Sequence, residues 1–309
     1  MNILNSDEDY LKHIKIDTNY KSKKINCEIC GSPHNTVIRD TVSVGNNNFF
    51  AKLPVVACNQ CGLLFQNPRF PEEFYRKFYS KNYRMVLYGK TVPSKEIIND
   101  QISRGELLYK RLQQFLPKSG NILDVGSSTG GVMKPFLDKG WEGLGIDPDI
   151  DYIEYGKNTL KLPVEVQDAE NMTLEKNNYD LTIIMGSLEH IYDPNKTLKS
   201  CYEASKENSL LLLEGRGHPQ NHSRIYFNHN HHRYFSLNSI QLMMIKHGWE
   251  PILTTDEELS GPTRKGSIFC LGVKKKKKNN AEFIKYIQSN NEKLNDIIHK
   301  FDLLDRKWS

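Results

Sequence analysis

Two cysteine pairs and one loop of small residues are the stretches of this 309-residue chain whose types and spacing could do chemistry. Cys27-x-x-Cys30 and Cys58-x-x-Cys61 are each followed by glycine, in CEICGS and CNQCGL. Glycine permits the tight turn that brings thiolates together, and four soft ligands in two turns suit tetrahedral Zn2+. The stretch between the pairs is longer than an ordinary ribbon spacing, which predicts a hairpin with extra loop. Four incidental thiols are the plain alternative; redox use of one pair would leave its matched partner pair unexplained. Cys201 and Cys270 lie inside apolar patterns and read as small core residues.

The loop is ILDVGSSTGG, Ile122 to Gly131. An apolar run ends in an acid, and small residues then let a backbone come close to a ligand. A phosphate loop is excluded, because Lys134 follows Met133 and no Gly-Lys-Ser/Thr occurs. The dinucleotide fingerprint also fails, since Ser128 stands two residues after Gly126. A helix beginning at Gly131 would aim its free N–H groups at the loop, which suits a carboxylate.

These residues need elements to hold them. From Asn121 short β-rich runs alternate with helical segments: NILDVGS, VMKPFLDKG, GLGID, DYIEYGKNTL, PVEVQD, DLTIIMGS, KTLKSCYEASK and SLLLLEG. Several runs are continuously apolar, so both faces are covered, which predicts an α/β fold with a mostly parallel sheet and helices on both sides. Strands near Pro251–Thr255 and Ser267–Val273 follow a helix at Ser239–His247. Such sheets bind ligands beyond the carboxyl ends of their strands. Upstream, Ile102–Leu116 has one apolar helical face, and PEEFYRKFYSKNY (Pro71–Tyr83) reads as an aromatic helix starting at proline.

At this point the chain resembles the class I S-adenosylmethionine-dependent methyltransferases, over roughly Asp100 to Val273. Asp124, Gly126 and Gly130 match their acid-x-G-x-G-x-G motif, with Ser128 at the middle glycine. The resemblance implies a Rossmann-like seven-stranded sheet and S-adenosyl-L-methionine as cofactor. It assigns Asp147 in GLGIDPD to the ribose hydroxyls and Asp168 in VQDAE, beside Ala169, to the adenine amino group. Ser127 and Ser187 complete the cofactor set, the latter in DLTIIMGSLEHIYDP, the family's fourth motif. One acid after a strand is commonly a helix N-cap; four motifs in register are not explained that way. CNQCGLLFQNPRFPEEFYRKFYSKNY is similar to the zinc-binding N-terminal segment of bacterial methyltransferases from sugar and glycan clusters. Sugar C-methyltransferases of that type carry another large C-terminal domain, which argues against C-methylation here.

A hydroxyl acceptor must lose a proton, and histidine is the usual base. His190 follows the fourth strand. His231 lies in HHRYFSLNSI, which resembles the family's H-x-x-x-F-[ST] segment. The stretch 217–234 holds five histidines, His218, His222, His229, His231 and His232. Each alone reads as a polar loop residue; a metal there would need an acid-rich partner set that the stretch does not supply. Tyr75, Tyr79 and Tyr83 would line an acceptor pocket or simply pack the aromatic helix. GSLEH lacks the Pro-Pro-aromatic loop of base N-methylation, and no Pro-Cys nucleophile occurs, which argues against DNA methylation. RNA modification and an inactive cofactor-binding module are the remaining alternatives to O-methylation of a sugar or other small polar metabolite.

Net charge is +5, with 38% apolar and 26% charged residues, ordinary for a soluble globular protein. Part of the charge is one block, Lys274 to Lys278, which reads as a solvated, mobile segment. The start has early acids and no apolar h-region, and no run is long enough to span a bilayer, so a cytoplasmic location is expected. The domain boundaries read as a flexible segment 1–25, a zinc-ribbon-like module 26–70, a helical connector 71–118, a methyltransferase domain 119–275, and a basic linker with C-terminal helix 276–309. In that tail Phe283, Ile287, Asn290, Leu294, Ile297, Phe301 and Leu304 form a heptad seam. The seam fits docking on its own domain or pairing with a second subunit.

Overall fold

The computed structural model describes residues 2–16, 20–45, 48–79, 89, 91–218 and 227–306, the last four by backbone alone. Tyr83, His222 and the side chain of Leu304 lie outside the described residues. The strands in chain order are β1 (Asn2–Leu4), β2 (Asn35–Arg39), β3 (Val42–Val44), β4 (Phe49–Ala51), β5 (Val55–Cys58), β6 (Leu64–Gln66) and β7 (Asn121–Val125). They continue with β8 (Glu142–Asp147), β9 (Val164–Val166), β10 (Tyr179–Met185), β11 (Ser205–Arg216), β12 (Arg233–Tyr234), β13 (Trp249–Thr255) and β14 (Ser267–Lys274).

The expected seven-stranded sheet is present in the order β13-β14-β11-β10-β7-β8-β9. Neighbours from β9 to β11 run parallel, and β14 is antiparallel to both β11 and β13. The central strands are buried on both faces: Leu123, Leu181, Ile183, Leu211 and Leu213 are inaccessible to solvent. That burial is why their sequences are continuously apolar rather than alternating. Helices Ile150–Asn158, Pro194–Ala204 and Leu237–Lys246 make the crossovers and cover the sheet. Each starts where its cap dictates: Asp149, Asp193 and Ser236 accept from backbone N–H groups of the first turn. After the loop, only Lys134–Leu137 is regular helix, preceded by turns through Gly131–Met133.

The N-terminal third, joined by β12 from late in the chain, makes two smaller sheets. Strands β12-β6-β5-β2 form a four-stranded antiparallel sheet around the cysteines, and β1-β4-β3 form a three-stranded one. The start therefore departs from the loose segment expected over 1–25. β1 pairs with β4, and the helix Asp7–His13 buries Tyr10 and Leu11, with Tyr10 stacked on Phe70 at 5.5 Å. Its apolar residues are too few to show periodicity in sequence, but they complete a core supplied by residues 42–78.

The tail is also corrected. It is two helices, Asn280–Asn290 and Leu294–Arg306, because Asn291–Lys293 interrupt the run. The seam faces inward: Phe283, Ile287, Ile297 and Phe301 are buried within the chain, so docking on its own domain accounts for it. Lys274 is no mobile residue either; it ends β14 and donates to the Ser205 carbonyl at 2.8 Å. Among the described residues no helix is long and apolar enough to cross a membrane.

Candidate active site and thiolate centre

The carboxyl ends of β7, β8, β9 and β10 open onto one crevice of about 780 Å³. Asp124, Gly126, Ser127, Ser128, Asp147, Asp168, Ala169, Ser187 and His190 line it, as eight of the nine expected cofactor residues and one of the two expected bases. Gly130 does not line it. It turns the loop at φ +81, and a Cβ there would meet Val164 Cγ1 at 2.8 Å, so its role is backbone packing. Gly126 is also left-handed, at φ +80, and a Cβ would stand 2.4 Å from Ser187. The loop thus passes so close to the tip of β10 that only glycine fits.

Ser128, at the position of the resembled motif's middle glycine, is left-handed, with φ 55. Two contacts hold it there: its N–H donates to Asp147 Oδ2 at 2.9 Å, and its Oγ accepts from Gln101 Nε2 at 3.0 Å. Asp147 Oδ1 accepts from Asp149 N–H at 2.9 Å. The acid expected at the ribose therefore also ties its own strand end to the loop.

Asp124 is 1% exposed, and its Oδ2 has no hydrogen-bond partner. Burial, with the Asp147 carboxylate nearby, pushes it up to about 7, against the opposing pull of Arg104. Beyond β9, burial and the Asp168 carboxyl push Glu170 up to about 8, while Glu170 Oε1 accepts from the Tyr192 and Asp193 N–H groups. Arg76 Nε lies 3.4 Å from Asp168 Oδ2.

The two candidate bases are neighbours, with ring centroids 5.0 Å apart. His190 lines the crevice, and its Nδ1–H donates to the Asn230 carbonyl at 2.9 Å. His231 is not part of the crevice wall and lies behind His190. Burial, with His190, Arg216 and Arg264 nearby, holds the His231 imidazole well below its ordinary range. Tyr79 OH donates to the same Asn230 carbonyl at 2.9 Å, and Tyr75 packs edge-on to His232 at 4.1 Å. Both tyrosines line the crevice.

Sequence reasoning missed the charged side chains that hold these pieces. Glu28 stands between the first two cysteines and is buried against two arginines. It accepts from Arg233 Nε at 2.8 Å and Nη2 at 2.6 Å, and from Arg69 Nη1 at 2.7 Å. Burial raises the Glu28 pKa, but the Arg233 and Arg69 guanidiniums outweigh it and hold the carboxyl at about 2. Arg104 and Arg264 both reach Glu214, at 3.2 and 2.6 Å. No local pattern flags such contacts, which join residues 41 to 205 positions apart.

The cysteines converge as expected. Cys27 and Cys61 Sγ are 3.4 Å apart, as are Cys30 and Cys58 Sγ, and all four sulfurs lie within 4.8 Å of one another. Each pair makes the same knuckle: Gly31 and Gly62 sit at φ +77 and donate to the Cys27 and Cys58 carbonyls. Zinc–sulfur bonds of about 2.3 Å in a tetrahedron require sulfurs roughly 3.8 Å apart, so this donor set fits the ion.

Strand order and crevice together define a Rossmann-like methyltransferase domain. Residues 101–254 match a family model described as a methyltransferase domain. A demethylmenaquinone methyltransferase of Paenarthrobacter aurescens is 23% identical over 139 residues, 43% of this chain and 55% of that protein. A ubiquinone biosynthesis O-methyltransferase of Coxiella burnetii is 30% identical over 106 residues, 33% of this chain and 45% of that protein. The chain thus spans about half the length of these curated relatives. A SAM-dependent methyltransferase structure from Methanosarcina mazei aligns with TM-score 0.48 at 17% identity, over 54% of this chain and 98% of that one.

Proposed function

We propose that this protein binds S-adenosylmethionine in the crevice and transfers its methyl group to an oxygen of a sugar or other small polar metabolite. The observation that carries the reading is the convergence of four successive strand ends, with Asp124, Asp147, Asp168 and Ser187, on a single crevice. In this reading Asp147 takes the ribose hydroxyls with its remaining lone pairs, Asp168 the adenine amino group, and Asp124 the cationic methionine end. Gly126, Ser127, Ser128 and Ala169 supply close backbone, and Gly130 shapes the loop from behind. A sulfonium methyl is already activated, so the chain contributes mainly alignment. The Asn230 carbonyl fixes the tautomer of His190 with its lone pair on Nε2, which can take the acceptor's proton. His231 is a positioning residue behind it.

The oxygen acceptor has support from the Coxiella relative, whose name describes an O-methyltransferase. The glycan context rests on the resemblance of the cysteine segment alone. Cys27, Cys30, Cys58 and Cys61 would hold a structural Zn2+, which would lock the two knuckles together. Calorimetry with S-adenosylmethionine and S-adenosylhomocysteine tests the cofactor assignment; no heat for either overturns it. Radiolabelled methyl transfer to nucleotide sugars, glycan extracts and RNA then identifies the acceptor, and label in RNA alone would replace the small-metabolite reading.

A further inference from the structure

We propose that Glu189, His190 and His231 form a second metal site, for a divalent first-row transition ion, directly behind the wall of the crevice. One donor atom from each lies within 4.8 Å of the others. Glu189 is 1% exposed, and its Oε2 has no hydrogen-bond partner. His231 Nδ1 is likewise buried without one. A buried carboxylate oxygen and a buried imidazole nitrogen, each left unsatisfied, are costly unless something joins them. The third donor is already oriented, because His190 gives its Nδ1–H to the Asn230 carbonyl. A backbone carbonyl on the far nitrogen is the usual support of a metal-bound imidazole.

Two imidazoles and one carboxylate suit a transition ion and leave coordination positions open. The four thiolates form a separate and softer set in the cysteine knuckles. The opposing charges are Arg216, which faces His231, and Arg264, whose Nη2 lies 3.4 Å from Glu189 Oε1. Arg264 makes a shorter contact with Glu214, at 2.6 Å, and the other Glu189 oxygen remains for an ion. The sequence could not reveal this set, since the acid follows β10 and one histidine belongs to the stretch before β12.

Of the three, His190 lines the crevice beside Ser187 and so links the ion to the acceptor side. This role rests on the proposed methyl transfer. With the ion bound, His190 Nε2 would be a ligand in place of the proposed base, and the acceptor hydroxyl would give its proton to solvent. The oxygen would take the methyl group as the carbon–sulfur bond breaks, its electron pair staying on sulfur in S-adenosylhomocysteine.

The test is the metal content of full-length protein dialysed against zinc, measured without cofactor or acceptor. Glu189→Gln and His231→Asn are each expected to lose one equivalent relative to the wild type, with circular dichroism unchanged. Retention of the wild-type content in both folded variants would overturn the site. Should either variant fail to fold, cobalt-loaded wild-type protein decides. Weak visible bands of an oxygen–nitrogen site beside the sulfur charge-transfer band are expected, and the sulfur band alone overturns the proposal. Failure of methyl transfer would leave these counts untouched, so the two readings fail separately.

Discussion

At Asp124 burial and the Asp147 carboxylate set a pKa of about 7, where an ordinary aspartate would be 3.8. The folded carboxyl is thus neutral below about 7, while a cation-bearing cofactor favours its ionised form. Affinity for S-adenosylmethionine is expected to fall as pH drops from 8 to 6, by up to about tenfold per unit below the pKa. Asp124→Asn should bind weakly and without that slope, and a flat wild-type titration would remove the assignment. Asp147→Ala should weaken binding by tenfold or more, about 1.4 kcal/mol, because ribose contacts and loop anchoring go together. His190→Ala should lower turnover by roughly 10²–10⁴-fold with cofactor affinity kept. Full activity in that variant would mean that neither nitrogen chemistry nor metal binding at His190 serves the reaction.

The elements that matter most are those gripping the segment 227–235. β12 pairs with β6, Ser43 donates to the Phe227 carbonyl, and Arg69 donates to the His232 carbonyl. Glu28 ties the first cysteine knuckle to Arg233 in the same segment. Glu28→Gln leaves two buried guanidiniums short of their counter-charge, and the expected loss is about 3–5 kcal/mol in chemical denaturation. A change within 0.5 kcal/mol, about the scale of a surface substitution, would mean that the pair is dispensable. His229 is a second fastening, bonded through Nδ1 to Tyr10 OH at 2.8 Å. Burial lowers its pKa from 6.5 to about 3, so the unfolded chain gains a proton first as pH falls. The stability it supports is present above about pH 6.5 and is lost progressively down to about 3. A melting-temperature series should fall across that window, and more gently for His229→Asn; identical slopes would exclude the residue as a contributor.

For the whole molecule, the thiolate module and the sheet domain are not separable beads. Cys27, Cys58 and Cys61 share one apolar cluster with Leu123, Ile184 and Leu211 of the large sheet. The C-terminal helices close over the same module, since a Cβ on Gly62 would meet Ile297 Cδ1 at 3.1 Å. Cys27→Ser is therefore expected to lose the thiolate-bound zinc and to lower methyl transfer as well, although the cysteines are not part of the crevice wall. Zinc analysis and transfer assays on one preparation check this. Unaltered transfer after zinc loss would show that β12 keeps the histidine segment in position without the knuckles.

Period and local chemistry made much of this legible in the sequence. Apolar runs give buried parallel strands, paired C-x-x-C-G turns give thiolate knuckles, and acids after strands fall at the ligand edge because every parallel strand ends there. Asp124, Asp147 and Asp168 needed in addition the resemblance of four motifs in register. Register between distant segments carries no such local signal. Only the packed chain decided that β12 joins the cysteine sheet, that Glu28 meets Arg233, and that the tail's seam turns inward. It also decided that Glu189 lies beside His190 and His231. Each of these depends on which buried charge or apolar face is left to satisfy once the large sheet has formed, and that is a property of the assembled core rather than of any window of residues.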